Sequence, residues 1–170
     1  MTDPVKMDSG KRNRLAVLGL LGALLIVPIH EGLRLIPYRD TGRVATDCFG
    51  HTGSDVVMGK ASTETDCGNH LADDLITANT AVNSCVHYPL TANQRSAFVD
   101  FTYNVGGSAF CRSGIVKAIN SGSPRSACVQ LLRWVWVGKK DCRMQSSNCA
   151  GIVDRRKEEF QLCMRRDEIK

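Results

Sequence analysis

Eight cysteines constrain this chain more than any other feature: Cys48, Cys67, Cys85, Cys111, Cys128, Cys142, Cys149 and Cys163. An even number spread over the chain from residue 48 onward reads as a disulfide framework formed in an oxidising compartment. At 170 residues the chain can bury a full core, so bridges would reinforce the fold and not replace a core. Two other readings compete. Reduced cysteines bury well in a cytosolic core. A zinc site needs clustered ligands, but no pair has C-x-x-C spacing, and His30, His51, His70 and His87 are scattered, so no metal is expected. Eight cysteines allow on the order of a hundred pairings, and sequence does not choose among them. Chain proximity favours Cys142 with Cys149 around a polar loop, Cys48 with Cys67 around a glycine-containing loop and Cys85 with Cys111 around a helical pattern, leaving Cys128 for Cys163.

Ahead of the cysteines lies a second marked feature. Lys6, Lys11, Arg12 and Arg14 precede Leu15–Ile29 (LAVLGLLGALLIVPI), which carries no charge. A basic flank before an apolar run resembles a secretory signal, yet no small-x-small cleavage site follows: the next residues are His30, Glu31 and Gly32. At ~1.5 Å per residue the run spans ~22 Å, short of the ~30 Å hydrocarbon core. Gly19, Gly22, Ala16 and Ala23 dilute it further. It reads as a marginal, uncleaved anchor with its positive end inside and the body exported; the competing reading is a buried core helix. Three divisions follow: a basic tail over 1–14, an apolar helix over 15–30 and a body over 31–170, with the first ten residues polar and unordered.

The body is punctuated and then helical. Six residues of Gly or Pro between 32 and 60 predict turns and short strands, one of them over Arg43–Phe49. From Ser62 or Thr63 a capped helix carries Leu71, Leu75, Ala78 and Val82 on one face. Thr91 starts a second helix, with Ala97, Phe98, Phe101 and Val105 inward and Gly106-Gly107 as its stop. Helices are also predicted over Arg112–Asn120, from Pro124 with Cys128, Leu131, Leu132 and Val135 inward, and over Ile152–Met164. The fold class is α+β, mostly helical, with a small strand-and-turn region near the N-terminus and a helical C-terminal lobe.

Within HEGLRLIPYRDTGRVATDCFGHTG, Glu31 ends the apolar helix, Asp40 lies in a turn-rich segment and Thr46 in the expected strand. A carboxyl group beside apolar side chains favours its neutral form and can donate a proton; one on a polar turn stays ionised and can hold water. Glycosidic cleavage needs such an unlike pair, and Thr46 could bond the same water. Spacing alone is also met by a solvated surface.

The fuller pattern narrows this. E-x8-D-x5-T, set in EGLRL-x3-Y-x-D and followed by GHTG, resembles the phage-type lysozymes of glycoside hydrolase family 24. Phe101–Ser113 is similar to the family's F-x-x-N-x-G segment, Leu132-Arg133-Trp134 to its tryptophan-bearing helix, and Gly151–Glu159 to its G-[LI]-V-x-R-R-x-x-E signature. The resemblance covers roughly residues 29–164. It implies a lysozyme-like fold, Glu31 as general acid, Asp40 positioning water or stabilising the cationic sugar, Thr46 holding that water, and no cofactor. His51 and Asn104 occupy motif positions that line the cleft, though His51 equally suits a structural tie. Trp134 and Trp136 suit core packing more than sugar stacking. Arg155 and Arg156 suit either an acidic wall or pairing with Glu158 and Glu159. Arg43, Ala45, Asp47 and Cys48 depart from the family pattern, and Asp47 adds a third carboxylate beside the site.

The resemblance implies a monomeric endolysin that hydrolyses the β-1,4 bond between N-acetylmuramic acid and N-acetylglucosamine in peptidoglycan strands. The uncleaved anchor resembles that of signal-anchor-release endolysins. These pass through the export machinery, tether to the inner membrane and then act in the periplasm of a Gram-negative host. A lytic transglycosylase on the same fold and a catalytically silent membrane- or wall-binding protein are the alternatives. The +5 net charge suits an acidic partner without identifying it. Dispersed basic residues and the absence of a recognition motif argue against nucleic acid.

Overall fold

A computed structural model describes residues 5–40 and 42–166. The element order is α1 (Ser9–Val17), α2 (Ala23–Glu31), β1 (Arg34–Arg39), β2 (Ala45–Cys48), β3 (His51–Thr52), α3 (Glu64–Cys85), α4 (Ala92–Val105), α5 (Gly107–Cys111), α6 (Gly114–Asn120), α7 (Pro124–Leu131), β4 (Trp136–Val137), β5 (Lys140–Asp141), a 3-10 turn over Gln145–Ser147, and α8 (Ala150–Met164). This is the mostly helical α+β class expected from the sequence.

Helix starts follow the residue types that cap them. Thr63 and Thr91 accept hydrogen bonds from the backbone N–H groups of Asp66 and Gln94, whose side chains bond back to the cap residues. These reciprocal bonds satisfy donors that a helix start otherwise leaves orphaned. Pro124 occupies the first turn of α7, where its missing N–H costs nothing. Gly106 ends α4 at φ 85°, a left-handed conformation that suits glycine. Leu71, Leu75, Val82, Ala97, Phe98 and Phe101 are buried in one core with residues of α2 and α8. Of the residues expected inward here, Cys128, Leu131 and Val135 are buried, but α7 ends at Leu131 and Leu132 stays exposed.

The small sheet has order β1-β2-β3, all antiparallel. Tyr38 pairs with Thr46, and Asp47 with His51. The strand expected over Arg43–Phe49 is present as the shorter β2, while β1 gave no periodic signal because glycine and proline crowd its surroundings.

The apolar run differs from expectation. Residues 15–30 form no single helix: α1 ends at Val17 and α2 begins at Ala23. The break is at Gly19, with φ 69°, whose carbonyl accepts a 2.7 Å hydrogen bond from Ser96 Oγ on α4. Gly22 allows the same close approach, since a Cβ there would lie 2.9 Å from Ser96 Cβ. Pro28 lies inside α2 without ending it. Among the described residues, no helix is long and apolar enough to cross a membrane.

The basic segment is ordered from residue 5 onward, where an unordered tail was expected; residues 1–4 lie outside the described residues. Lys6 pairs with Glu64 at 2.7 Å, Lys11 pairs with Asp73, and Asp8 exchanges hydrogen bonds with Asn69. Val5 and Met7 pack on the core. These contacts strap the segment along α3.

Four disulfides join Cys48 to Cys67, Cys85 to Cys111, Cys128 to Cys163 and Cys142 to Cys149. All four lie at or beyond residue 48, so α1, α2 and β1 are held by packing and hydrogen bonds without a covalent tie.

Candidate active site

Glu31 is the last residue of α2, and Gly32 follows with φ 69°, turning the chain sharply away. The Glu31 carboxylate accepts a hydrogen bond from Arg155 Nη1 on α8. Arg155 is itself buried: its Nη2 donates to Asp100 Oδ1 at 2.8 Å, and its Nε lies 3.6 Å from Glu159 Oε1. Burial opposes its charge, but Asp100 and then Glu31 outweigh that and hold the guanidinium firmly protonated. Beside it Arg156 pairs with Glu159 at 2.7 Å and donates to Asn104. The two arginines therefore face inward, toward carboxylates of α2, α4 and α8, and neither forms a surface patch or pairs with Glu158.

A cavity of about 410 Å³ opens beside Glu31, lined by Gly50, Thr52, Asp74, Thr77, Ala78, Ala81, Thr102, Tyr103, Asn104, Gly106 and Gly107 as well. A second, of about 270 Å³, is lined by His30, Glu31, Asn104, Asn148, Cys149, Gly151, Ile152 and Arg155. Glu31 and Asn104 belong to both. Tyr103 braces the first: its hydroxyl donates to the Phe49 carbonyl at 2.6 Å, and burial pushes its ionisation far upward, keeping that donor in place.

The other expected residues stand apart from these cavities. Asp40 holds its own turn, with Oδ1 accepting from the Val44 N–H at 2.8 Å. Thr46 is buried and donates to the Val44 carbonyl at 3.1 Å. Neither lines either of these two cavities. His51 sits behind the wall, with Nδ1 2.9 Å from Asp74 and Nε2 3.2 Å from Asp55. Burial lowers its proton affinity, but the Asp74 bond and charge, followed by those of Asp55, raise it on balance. Asp74 is pushed upward by burial more than His51 pulls it down. Asp47 is buried, accepts a 2.5 Å bond from Ser62 and leaves Oδ1 without a hydrogen-bond partner. Trp134 packs edge-on against Phe101, whereas Trp136 is exposed on β4.

Sequence reasoning missed Asp100, Asp74 and Tyr103. All three lie on helices, and Asp100, a lone acid among apolar neighbours in FVDFTYN, was the one available signal; Asp74 beside Asp73, and Tyr103 between Thr102 and Asn104, carry none. A family model described as phage lysozyme matches residues 28–159, a span that holds Glu31, Asn104, Arg155 and both cavities. The chain belongs to the phage lysozyme family. It is a glycoside hydrolase of the lysozyme type and a phage endolysin. A SAR-endolysin of Bacteriophage PS119 is 37% identical over 134 residues, covering 79% of this chain and 76% of that protein. Among solved structures, the muramidase domain of SpmX from Asticaccaulis excentricus superposes with TM-score 0.74 at 28% identity, covering 86% of this chain and 96% of the other. A phage P22 lysozyme variant gives TM-score 0.71 at 27% identity, covering 94% and 99%. In this phage lysozyme, then, α2 and α4 meet α8 at one guanidinium, that of Arg155, which bonds both Glu31 and Asp100.

Proposed function

We propose that this phage lysozyme hydrolyses the β-1,4 bond between N-acetylmuramic acid and N-acetylglucosamine in peptidoglycan, with Glu31 as general acid. The observation that carries the reading is Glu31 at the junction of two cavities. A polymer lying through both would present a glycosidic oxygen to the one carboxylate they share. Arg155 restricts the rotamer of that carboxylate, and Asn104 supplies an amide on the same edge. Asp40 and Thr46 complete the set as water-holding groups, and His51 acts from behind through Asp74. For Asp40 and Thr46 the supporting argument is the E-x8-D-x5-T pattern. Apo geometry in a hydrolase is often looser than that of the substrate complex.

Export follows from the same residues. Val17, Leu21, Leu25 and Ile29 stay exposed while Leu20, Ala23, Ile26 and Val27 are buried. An apolar outer side on a two-part segment, the end of α1 and α2, that already buries its inner side suits a segment that also resides in lipid. The 1–14 tail and the 15–30 run then serve as a transient inner-membrane anchor placed by the export machinery. Release to the periplasm of a Gram-negative host docks α2 against α4 and α8, bringing Glu31 to Arg155, and lysis follows.

Two measurements test this. Glu31→Gln should fold, as judged by circular dichroism, and fail to clear purified cell wall; clearing by that variant would reject Glu31 as the acid. Fractionation before and after collapse of the membrane potential should move the protein from membrane to soluble fraction. Protein that is soluble throughout, or active while bound, contradicts the anchor.

A further inference from the structure

His51 on β3 and His70 on α3 are far apart in sequence, yet their rings stack with centroids 4.2 Å apart. Both direct Nε2 at Asp55: His51 Nε2 lies 3.2 Å from Asp55 Oδ1, and His70 Nε2 lies 3.4 Å from Asp55 Oδ2. A carboxylate stands behind each ring. Asp74 bonds His51 Nδ1 at 2.9 Å, and the buried, unpartnered Oδ1 of Asp47 lies 4.0 Å from His70 Nδ1, beside the Cys48 sulfur at 3.8 Å.

A neutral imidazole has a single N–H. Where carboxylates flank both nitrogens, a neutral ring must present a lone pair to one of them. A cation at Nε2 resolves this by using that lone pair and leaving Nδ1–H for the carboxylate behind. Metal-binding histidines adopt this pattern, with the outer carboxylate fixing the tautomer. The spacing is compatible with one ion: a ligand tetrahedron at ~2.0–2.2 Å has edges of about 3.4 Å, and each imidazole Nε2 lies 3.2 or 3.4 Å from an oxygen of the Asp55 carboxylate, His51 from Oδ1 and His70 from Oδ2. The candidate ligand atoms of His51, Asp55 and His70 all lie within 4.8 Å of one another. The rings stack with an interplanar angle of 29°, so binding one ion requires them to swing out of the stack until both in-plane lone pairs converge, with the exposed Asp55 following. A recess of about 200 Å³ lined in part by Asp55, Lys60, Ser62, Asp66 and His70 leads in from solvent.

We propose that His51, His70 and Asp55 bind a divalent transition-metal cation of the zinc type, with water as the fourth ligand and Asp74 and Asp47 as outer-shell acceptors. The ion ties β3 and the loop after it to α3, next to the Cys48–Cys67 disulfide that joins the end of β2 to the same helix. It lies behind the cavity wall formed by Thr52 and Asp74 and takes no part in bond cleavage.

The test uses the oxidised full chain after chelator treatment, titrated with zinc chloride by calorimetry and followed by thermal melting. One zinc per chain is expected. At about a hundredfold excess over Kd the melting temperature should rise by roughly 5–10 °C. His70→Gln and Asp55→Asn should each weaken binding at least tenfold while leaving metal-free wall clearing unchanged. The exposed Asp55 side chain keeps the test decisive should His70→Gln fold poorly. Cobalt should give the intense visible bands of a four-coordinate site in the wild type only. No zinc binding, or equal binding by wild type and both variants, would overturn the site and leave a hydrogen-bonded histidine pair.

Discussion

Arg155 connects the deepest part of the molecule to its chemistry. Its guanidinium neutralises Asp100 and Glu159, both fully buried, and reaches Glu31 at the cavity edge. Removing one partner of a buried ion pair typically costs ~3–5 kcal/mol, because the remaining charge is left desolvated. Arg155→Met should therefore lower urea-unfolding stability by about that amount. A loss below about 1 kcal/mol would show that the carboxylates find other partners. Tyr103→Phe tests a smaller contribution: deleting the hydrogen bond to the Phe49 carbonyl should cost ~1 kcal/mol in the same assay. At this scale the sequence was legible for Glu31 and Asn104 as cavity residues, because both occur in recognisable strings. It was only partly legible for Arg155. The sequence left the two arginines between a wall contact and pairing with Glu158 and Glu159; the fold shows the Glu159 pairing and adds Asp100 and Glu31, which lie far off in the chain.

At the scale of elements, local signals were clearest where the physics is local. Thr63 and Thr91 announced their helices because cap bonds span only three residues. The hydrogen bonds from Thr63 lower the Asp66 pKa below its ordinary value. A depressed carboxylate contributes stability above its unfolded pKa, and that contribution is lost as pH falls through the folded value. The melting temperature of Asp66→Asn should thus fall below wild type at pH 6, and the difference should hold down to about pH 4 and shrink only below it, as pH falls through the depressed folded value. A difference that stays constant well below about pH 4 would contradict the capping role. The break between α1 and α2 was illegible by contrast, since it depends on Ser96, far along the chain. Gly22→Val places its Cβ against Ser96 and Leu162. Overpacking of this kind costs ~1–3 kcal/mol. Thermal melting should show the loss, and on the proposed reading the fraction retained in membranes should rise with it.

For the molecule as a whole, the covalent framework and the catalytic groups are distributed unequally. Cys149 caps the start of α8 and Cys163 lies near its end, so the helix bearing Arg155 is bridged at both extremities. Loop-closure entropy predicts about 4 kcal/mol from the Cys128–Cys163 bridge and about 2.5 from Cys142–Cys149, whose loop is shorter. Paired Cys→Ser variants should therefore rank in that order by denaturant midpoint. Residues 5–47 carry no bridge at all. Nothing covalent must be made or broken for α2 to leave its groove or return to it. On the proposed reading, activity is then a partition coefficient, the ratio of α2 held between α4 and α8 to α2 dissolved in lipid. Such a ratio responds to membrane thickness and temperature without any reductant or protease, and it runs in both directions.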